Sequence, residues 1–151
     1  MQRRKRACGI AARVDGTVSL AGLFDLAETA ALLQAAQIVV CNNSAPAHIA
    51  AAVGTPVVDL YALTNPQHTP WAVANRVLSH DVDCKYCLKS VCPLGHNACL
   101  TQVAPSEIVA AVDALLPDVA ARSAARTGSM LRAGPLVKPS GAAGHALGAG
   151  T

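Results

Sequence analysis

Residues 38–71 read IVVCNNSAPAHIAAAVGTPVVDLYALTNPQHTPW, and no other stretch limits the fold of this chain so tightly. Ile38-Val39-Val40-Cys41 is a short, β-branched apolar run of the kind that forms a buried strand. Asn42-Asn43-Ser44 come next, followed by an alanine-rich segment that predicts a helix and ends at Gly54. Val57-Val58-Asp59-Leu60-Tyr61 reads as a second buried strand. Strand, turn, helix, glycine and strand make a βαβ unit, and such units hold ligands at the carboxyl ends of their strands. Here that end is Asn42-Asn43-Ser44, at the start of the helix.

The residues of this turn point to an anion. Ser44 is the predicted N-cap, with Asn43 as the alternative. Pro46 falls in the first turn, where its missing N–H costs little. The N–H groups around Ser44, Ala45 and Ala47 are then expected to face outward. With the partial positive charge of a helix N-terminus they suit a phosphate. His48, at the end of the first turn, can donate to a phosphate or sugar oxygen. The competing reading is an ordinary capped helix with a satisfied, half-buried histidine. The next strand runs out into residues 61–75, a long connection in which Asn65, Gln67 and His68 are held by Pro66 and Pro70 and followed by Trp71. It either closes over a ligand or simply joins two elements, and its place beside the turn favours closure.

Elsewhere the pattern is that of a modest α/β body. Asp25 and Glu28 have capping-box spacing, and a helix is expected from there to about Ala36. Thr17-Val18-Ser19-Leu20 and Arg76-Val77-Leu78 are further strand candidates. Pro105 opens a last helix with Ile108, Val112, Leu115 and Leu116 on one face, and Pro117 is expected to stop it. From Asp118 onward the composition turns to Ala, Gly, Ser, Pro and Arg without a sustained apolar period, which predicts disorder. The expected organisation is an uncommitted basic N-terminus (1–14), a folded unit (15–117) and a disordered tail (118–151). Nothing supplies the flanking strands of a complete doubly wound sheet, so the folded unit is expected to be part of a larger domain.

The net charge of +3 is unevenly placed. Residues 1–13 carry five cations and no acid, residues 14–117 three cations and eight acids, and residues 118–151 four cations and one acid. A nucleic-acid surface needs Lys and Arg clustered on a folded face. The acidic body lacks such a cluster, so no nucleic-acid partner is expected. No apolar run approaches the ~20 residues of a membrane span, and the apolar part of Ala7 to Ala12 is too short for a secretory signal. A cytoplasmic protein is expected, with peripheral membrane association left open.

Residues 84–99 form a cysteine-rich loop. Cys84, Cys87, Cys92 and Cys99 have spacings at which thiolates can converge on one metal, with His96 as a further candidate ligand. Structural zinc is the leading reading. An iron–sulfur cluster, free thiols and a disulfide pair are the alternatives. Cys41, at the end of a buried strand, reads as a small hydrophobe.

Residues 42–58, NNSAPAHIAAAVGTPVV, resemble the (N/D)-(S/T)-G-x-x-H-x-A-A-x-x-x-P signature of family 9 glycosyltransferases, the bacterial heptosyltransferases of lipopolysaccharide core synthesis. The resemblance runs from about Val18 to Leu116, and the Asn-Pro-Gln-His-Thr-Pro-Trp loop and cysteine cluster are similar to one subgroup. It implies a GT-B fold, two Rossmann-like domains across a cleft, of which this chain would be part of the C-terminal one. It implies donor binding by Ser44, Ala45, Pro46 and His48 at the diphosphate, by Asn43 just ahead, and by Phe24 near the nucleobase. The loop residues Asn65, Gln67 and His68 are further candidate contacts.

The implied donor is ADP-heptose, with no organic cofactor, and the implied acceptor is the lipopolysaccharide core, held by an N-terminal domain that carries the catalytic carboxylate. That domain, and the part of the C-terminal domain with the family's phosphate-binding lysine, are not matched here. The catalytic base is therefore unassigned, and the chain alone is expected to have little or no transferase activity. Ala45 departs from the family by replacing a glycine, which restricts backbone approach. A non-catalytic, metal-stabilised nucleotide-binding module and another GT-B nucleotide-sugar enzyme, such as an epimerase, are the alternative functions.

Overall fold

A computed structural model describes residue 9 and residues 11–132, with side chains through 126. Its centre is a three-stranded parallel sheet in the order β1-β2-β3, formed by β1 (Val39–Asn42), β2 (Val57–Leu60) and β3 (Asn75–Leu78). Helix α1 (Leu26–Ala35) precedes β1, and α2 (Ala45–Ala52) crosses over between β1 and β2. A single 3-10 turn (Pro66–His68) lies between β2 and β3. Three helices follow, α3 (Ala98–Thr101), α4 (Pro105–Asp113) and α5 (Leu116–Arg132).

The central strand shows why its sequence is continuously apolar. Val57 packs with Val39, Ala47 and Ala50 under α2, whereas Val58 packs with Ala111 and Leu115 on the opposite face. Successive residues of a strand face opposite sides, so a strand covered on both sides needs apolar residues at each position. Alanines at 47 and 50, both fully buried, let α2 sit close on the sheet. Gly54 then turns the chain at a φ of 75°, a left-handed conformation that favours glycine.

Helix α1 is set by the expected capping box. The Glu28 N–H donates to Asp25 Oδ1 at 2.8 Å, and the Asp25 N–H to Glu28 Oε2 at 2.9 Å. Its other end is held from far along the chain. The Arg122 guanidinium donates to the carbonyls of Ala36 (3.0 Å) and Gln34 (2.8 Å) and to Thr55 Oγ1 (2.9 Å). Arg126 donates to the Gln34 carbonyl at 2.9 Å, and Thr55 Oγ1 to that of Leu33 at 2.8 Å. Carbonyls left open at a helix C-terminus are thus satisfied by two cations, which also suit the negative end of the helix dipole.

Three expectations are corrected here. Order does not end at Asp118, because residues 118–132 continue as α5, anchored by the buried Val119 and by Arg122. Pro117 does not stop a helix but stands in the first turn of one, where it has no N–H to lose. Residues 17–20 form no strand, and Val18 and Leu20 are exposed. Residues 133–151 of the expected tail, and the expected N-terminal segment apart from residues 9 and 11–14, lie outside the described residues.

Candidate functional site

The parallel strands bring Asn42, Asn43, Leu60 and Tyr61 to one edge of the sheet, where α2 begins and residues 61–74 leave β2. An open cleft of about 330 Å³ lies along this edge. Its walls are Asn42, Asn43, Leu60, Tyr61, Ala62, Thr64 and His68, with Lys89, Ser90 and Leu100 contributed by the cysteine loop and α3.

Asn43 is the knot of the site. Its backbone N–H extends the ladder to the Leu60 carbonyl at 3.2 Å. Its side-chain amide donates to Asp59 Oδ2 at 2.8 Å and to the His68 carbonyl at 2.5 Å. The amide group is therefore taken up within the protein, where it ties β1, β2 and the following loop together. Asp59 is fully buried, and its Oδ1 has no hydrogen-bond partner. Burial pushes its pKa up from 3.8, against the opposing influence of the Asn43 hydrogen bond and then of the nearby His48. Asp59 is paired in register with Cys41, whose thiol is pushed up to about 11 by burial first and by the Asp59 charge second. Cys41 is thus a protonated, unreactive thiol near neutrality, as expected of a small core residue.

The upward shift of the Asp59 pKa makes stability depend on pH. Between 3.8 and the higher folded value, the unfolded chain has lost this proton and the folded chain has kept it. The associated stability is present below that window and is lost as the pH rises through it. Asp59→Asn keeps an acceptor for Asn43 and cannot ionise. Its stability relative to the native sequence is therefore expected to rise across the window. Urea denaturation in steps from about pH 4 to pH 7 reads this difference directly, and parallel stability curves for the two proteins would contradict it.

Ser44 occupies the N-cap position of α2 with extended backbone angles, but its hydroxyl caps nothing. It turns back to donate to the Asn42 carbonyl at 3.1 Å. The Ala47 N–H, expected to face outward, instead donates to the Ser44 carbonyl at 2.9 Å. Within this turn the N–H groups of Ser44 and Ala45 are left without a side-chain cap. Pro46 stands in the first turn, and His48 is exposed. Ser44, Ala45, Pro46 and His48 adjoin the cleft but do not line it.

The loop after β2 is ordered from within. The buried Tyr61 phenol donates to the Asn65 carbonyl at 2.8 Å, accepts the Asn65 N–H at 3.0 Å, and lies 3.2 Å from Thr64 Oγ1. Asn65 Oδ1 accepts the Gln67 N–H at 3.1 Å, starting the 3-10 turn, and Asn65 Nδ2 lies 3.3 Å from His68 Nε2. Asn65 and His68 line a neighbouring cavity with Lys89, whereas Gln67 and Phe24 line neither. Trp71 is 86% exposed and closes over nothing. Residue-by-residue reading missed Asp59 and Tyr61. The signal for Asp59 was an acid inside an otherwise apolar strand.

Cys84, Cys87, Cys92, Cys99 and His96 line a separate cavity of about 120 Å³. All four cysteines are unpaired. Among the described residues, no three His, Cys, Asp or Glu side chains already stand where they could hold a metal ion. No described helix is long and apolar enough to cross a membrane.

Comparison with known proteins supplies the context for this geometry. The family model of glycosyltransferase family 9 (heptosyltransferase) matches residues 2–98. The match takes in the N-terminal residues left uncommitted above and ends ahead of α4. Lipopolysaccharide heptosyltransferase 3 of Escherichia coli is 35% identical over 101 residues, covering 66% of this chain and 29% of that protein. Lipooligosaccharide heptosyltransferase 2 of Campylobacter jejuni is 31% identical over 72 residues, covering 46% of this chain and 23% of that protein. The corresponding Haemophilus influenzae protein is 47% identical over 53 residues, covering 35% of this chain and 15% of that protein. This chain thus spans under a third of the length of each of these relatives. The crystal structure of a family 9 glycosyl transferase from Veillonella parvula superposes with a TM-score of 0.66 at 22% identity, over 78% of this chain and 34% of that one. The last comparison shows a shared fold.

Proposed function

The chain belongs to glycosyltransferase family 9, the heptosyltransferase family, and from that membership we propose that residues 15–117 are the donor-binding part of a heptosyltransferase of GT-B architecture. The donor is a nucleotide diphosphate sugar, ADP-heptose, and the acceptor is a sugar hydroxyl of the lipopolysaccharide core. The names of the relatives support this choice of sugar and acceptor. Such a donor places the reaction in the cytoplasm, beside the membrane that carries the acceptor.

The observation that carries the reading is the start of α2. Two N–H groups without a side-chain cap stand at the carboxyl edge of a parallel sheet, on a turn pinned by Asn43. Backbone donors at a helix start favour an anion, and they are fixed before the ligand arrives. During transfer the acceptor oxygen forms a bond to the anomeric carbon as the bond from that carbon to the diphosphate breaks. The acceptor proton goes to a base, and ADP departs with the bonding pair. Negative charge grows on the diphosphate, and the N–H groups of Ser44 and Ala45 stabilise that charge as it develops. His48, one turn along, donates to a phosphate or sugar oxygen.

Ala45→Asp tests this reading without threatening the helix, because an acid in the first turn is favourable to a helix start. Calorimetric titration with ADP is expected to show binding to the native chain. The expected weakening is at least about tenfold in Ala45→Asp, from like-charge repulsion at the phosphate, with thermal stability unchanged or higher. His48→Ala is expected to weaken binding less, by one hydrogen bond. Equal ADP affinity in the native chain and Ala45→Asp would place the diphosphate elsewhere.

A further inference from the structure

The loop between β3 and α3 poses a problem of stability. Residues 79–97 contain neither helix nor strand. Their larger apolar side chains face solvent, with Leu88 71% exposed and Val91 79% exposed, so burial does not hold them. Even so, the loop is folded closely enough to bring Lys89 and Ser90 to the strand-edge cleft. An irregular segment of this length with no apolar anchor needs another tether.

The cysteines are placed to supply it. They come from separate parts of the segment and line one cavity. Cys84 lies in the turn that the Lys85 N–H closes on the Val82 carbonyl at 3.1 Å, and Cys87 follows just beyond it. Cys92 opens a second turn, closed by the Gly95 N–H on its carbonyl at 3.2 Å. Cys99 lies in α3, and its carbonyl accepts the His80 N–H at 2.9 Å, which joins α3 to the exit of β3. Lys85, ion-paired with Asp81 at 2.6 Å, and Lys89 are also on the cavity wall, and Lys89 offsets part of the charge of a thiolate cluster.

His96 can be taken out of the ligand set. Its Nδ1 accepts the Ala98 N–H at 2.9 Å. That hydrogen bond occupies the Nδ1 lone pair, and it would have to be given up for His96 to bind a metal through this nitrogen. Four sulfurs remain.

We propose that Cys84, Cys87, Cys92 and Cys99 bind one Zn²⁺ as a closed tetrahedral thiolate site, which clamps the 79–99 loop and so holds Lys89 and Ser90 at the cleft. Binding replaces four S–H bonds by four Zn–S bonds and releases four protons to solvent, with no change of oxidation state. The sulfurs line the cavity without yet standing at ligating separations.

The test uses the full chain and Zn²⁺ alone as probe. Elemental analysis after Zn²⁺ loading and desalting is expected to give about one zinc per chain. Maleimide labelling followed by mass spectrometry is expected to find these four thiols protected until a chelator is added. Cys92→Ser and Cys99→Ser are expected to lose stoichiometric zinc, and His96→Ala to keep it. The thiol count on the native chain needs no variant, so misfolding of the serine variants cannot decide the matter. Four thiols equally reactive with and without chelator, a disulfide among them, or iron and sulfide in place of zinc would each overturn the proposal. So would loss of zinc in His96→Ala with retention in Cys99→Ser. None of these measurements involves a nucleotide, so their failure is separable from failure of the donor-site reading.

Discussion

Asn43→Leu is expected to destabilise the folded chain by about 2–4 kcal/mol, which makes it among the most damaging single changes at the site. The leucine is of similar size, so the effect is not one of volume. It removes the donor to Asp59 Oδ2, leaving a fully buried carboxylate whose other oxygen already lacks a partner. It also releases the His68 carbonyl, freeing the 3-10 turn from the sheet edge. The Asn43 hydrogen bond holds the Asp59 pKa down against burial, so its loss lets that value rise further. The penalty should accordingly be smaller where the carboxyl is protonated and grow as the pH rises. Asp59→Asn introduced into the same chain removes the stranded charge and should recover part of the loss, a coupling of about 1–2 kcal/mol. Urea denaturation of the four proteins of this cycle, at about pH 5 and about pH 8, measures all of this. Additive losses with no pH dependence would mean that Asn43 and Asp59 act separately.

Leu115→Ala is expected to cost about 3 kcal/mol. Leu115 has no exposed surface and packs against Val58 and Ala111 on the sheet face opposite α2. It stands between the end of α4 and the start of α5, and its carbonyl accepts the Val119 N–H at 3.1 Å. Truncation leaves a cavity at this corner, bounded by elements with their own attachments and therefore only partly able to collapse. The damage should travel along α5 to Arg122 and weaken the clasp on the α1 carbonyls. Hydrogen exchange offers a specific reading: the amides of α5 and of the last turn of α1 should lose protection together, while those of β1 retain theirs. A loss below about 1 kcal/mol, or protection unchanged at α1, would show that α5 is not tied to the core through Leu115.

The elements that local chemistry dictates were legible in the sequence. The capping box at Asp25 and Glu28, the small residues that pack α2 on the sheet, the turn at Gly54 and the two apolar strands all appear where their residue types place them. What escaped depends on distant partners. Helix α5 has few apolar residues, and it is held by Arg122 reaching carbonyls 86 and 88 positions earlier in the chain. No local period encodes such a contact. Ser44 sits where an N-cap should, yet its hydroxyl prefers the Asn42 carbonyl, a competition between two nearby acceptor and donor choices that spacing cannot settle. Asp59 was visible only as an acid in an apolar run, and its role emerged once parallel pairing put it beside Asn43. The resemblance to the family was legible in the turn and helix of the βαβ unit, residues 42–58, and the family match itself extends over residues 2–98.

The central claim is that a donor diphosphate sits on the first turn of α2. Amide chemical-shift mapping of the isotopically labelled chain during titration with ADP tests it most directly, with adenosine as the control that lacks phosphate. The account predicts that the largest ADP-dependent shifts fall on the Ser44 and Ala45 amides, with smaller ones at His48 and around Asn43, and that adenosine leaves the Ser44 and Ala45 amides unmoved. Shifts of equal size with adenosine, or an ADP response centred away from residues 43–48, would contradict it.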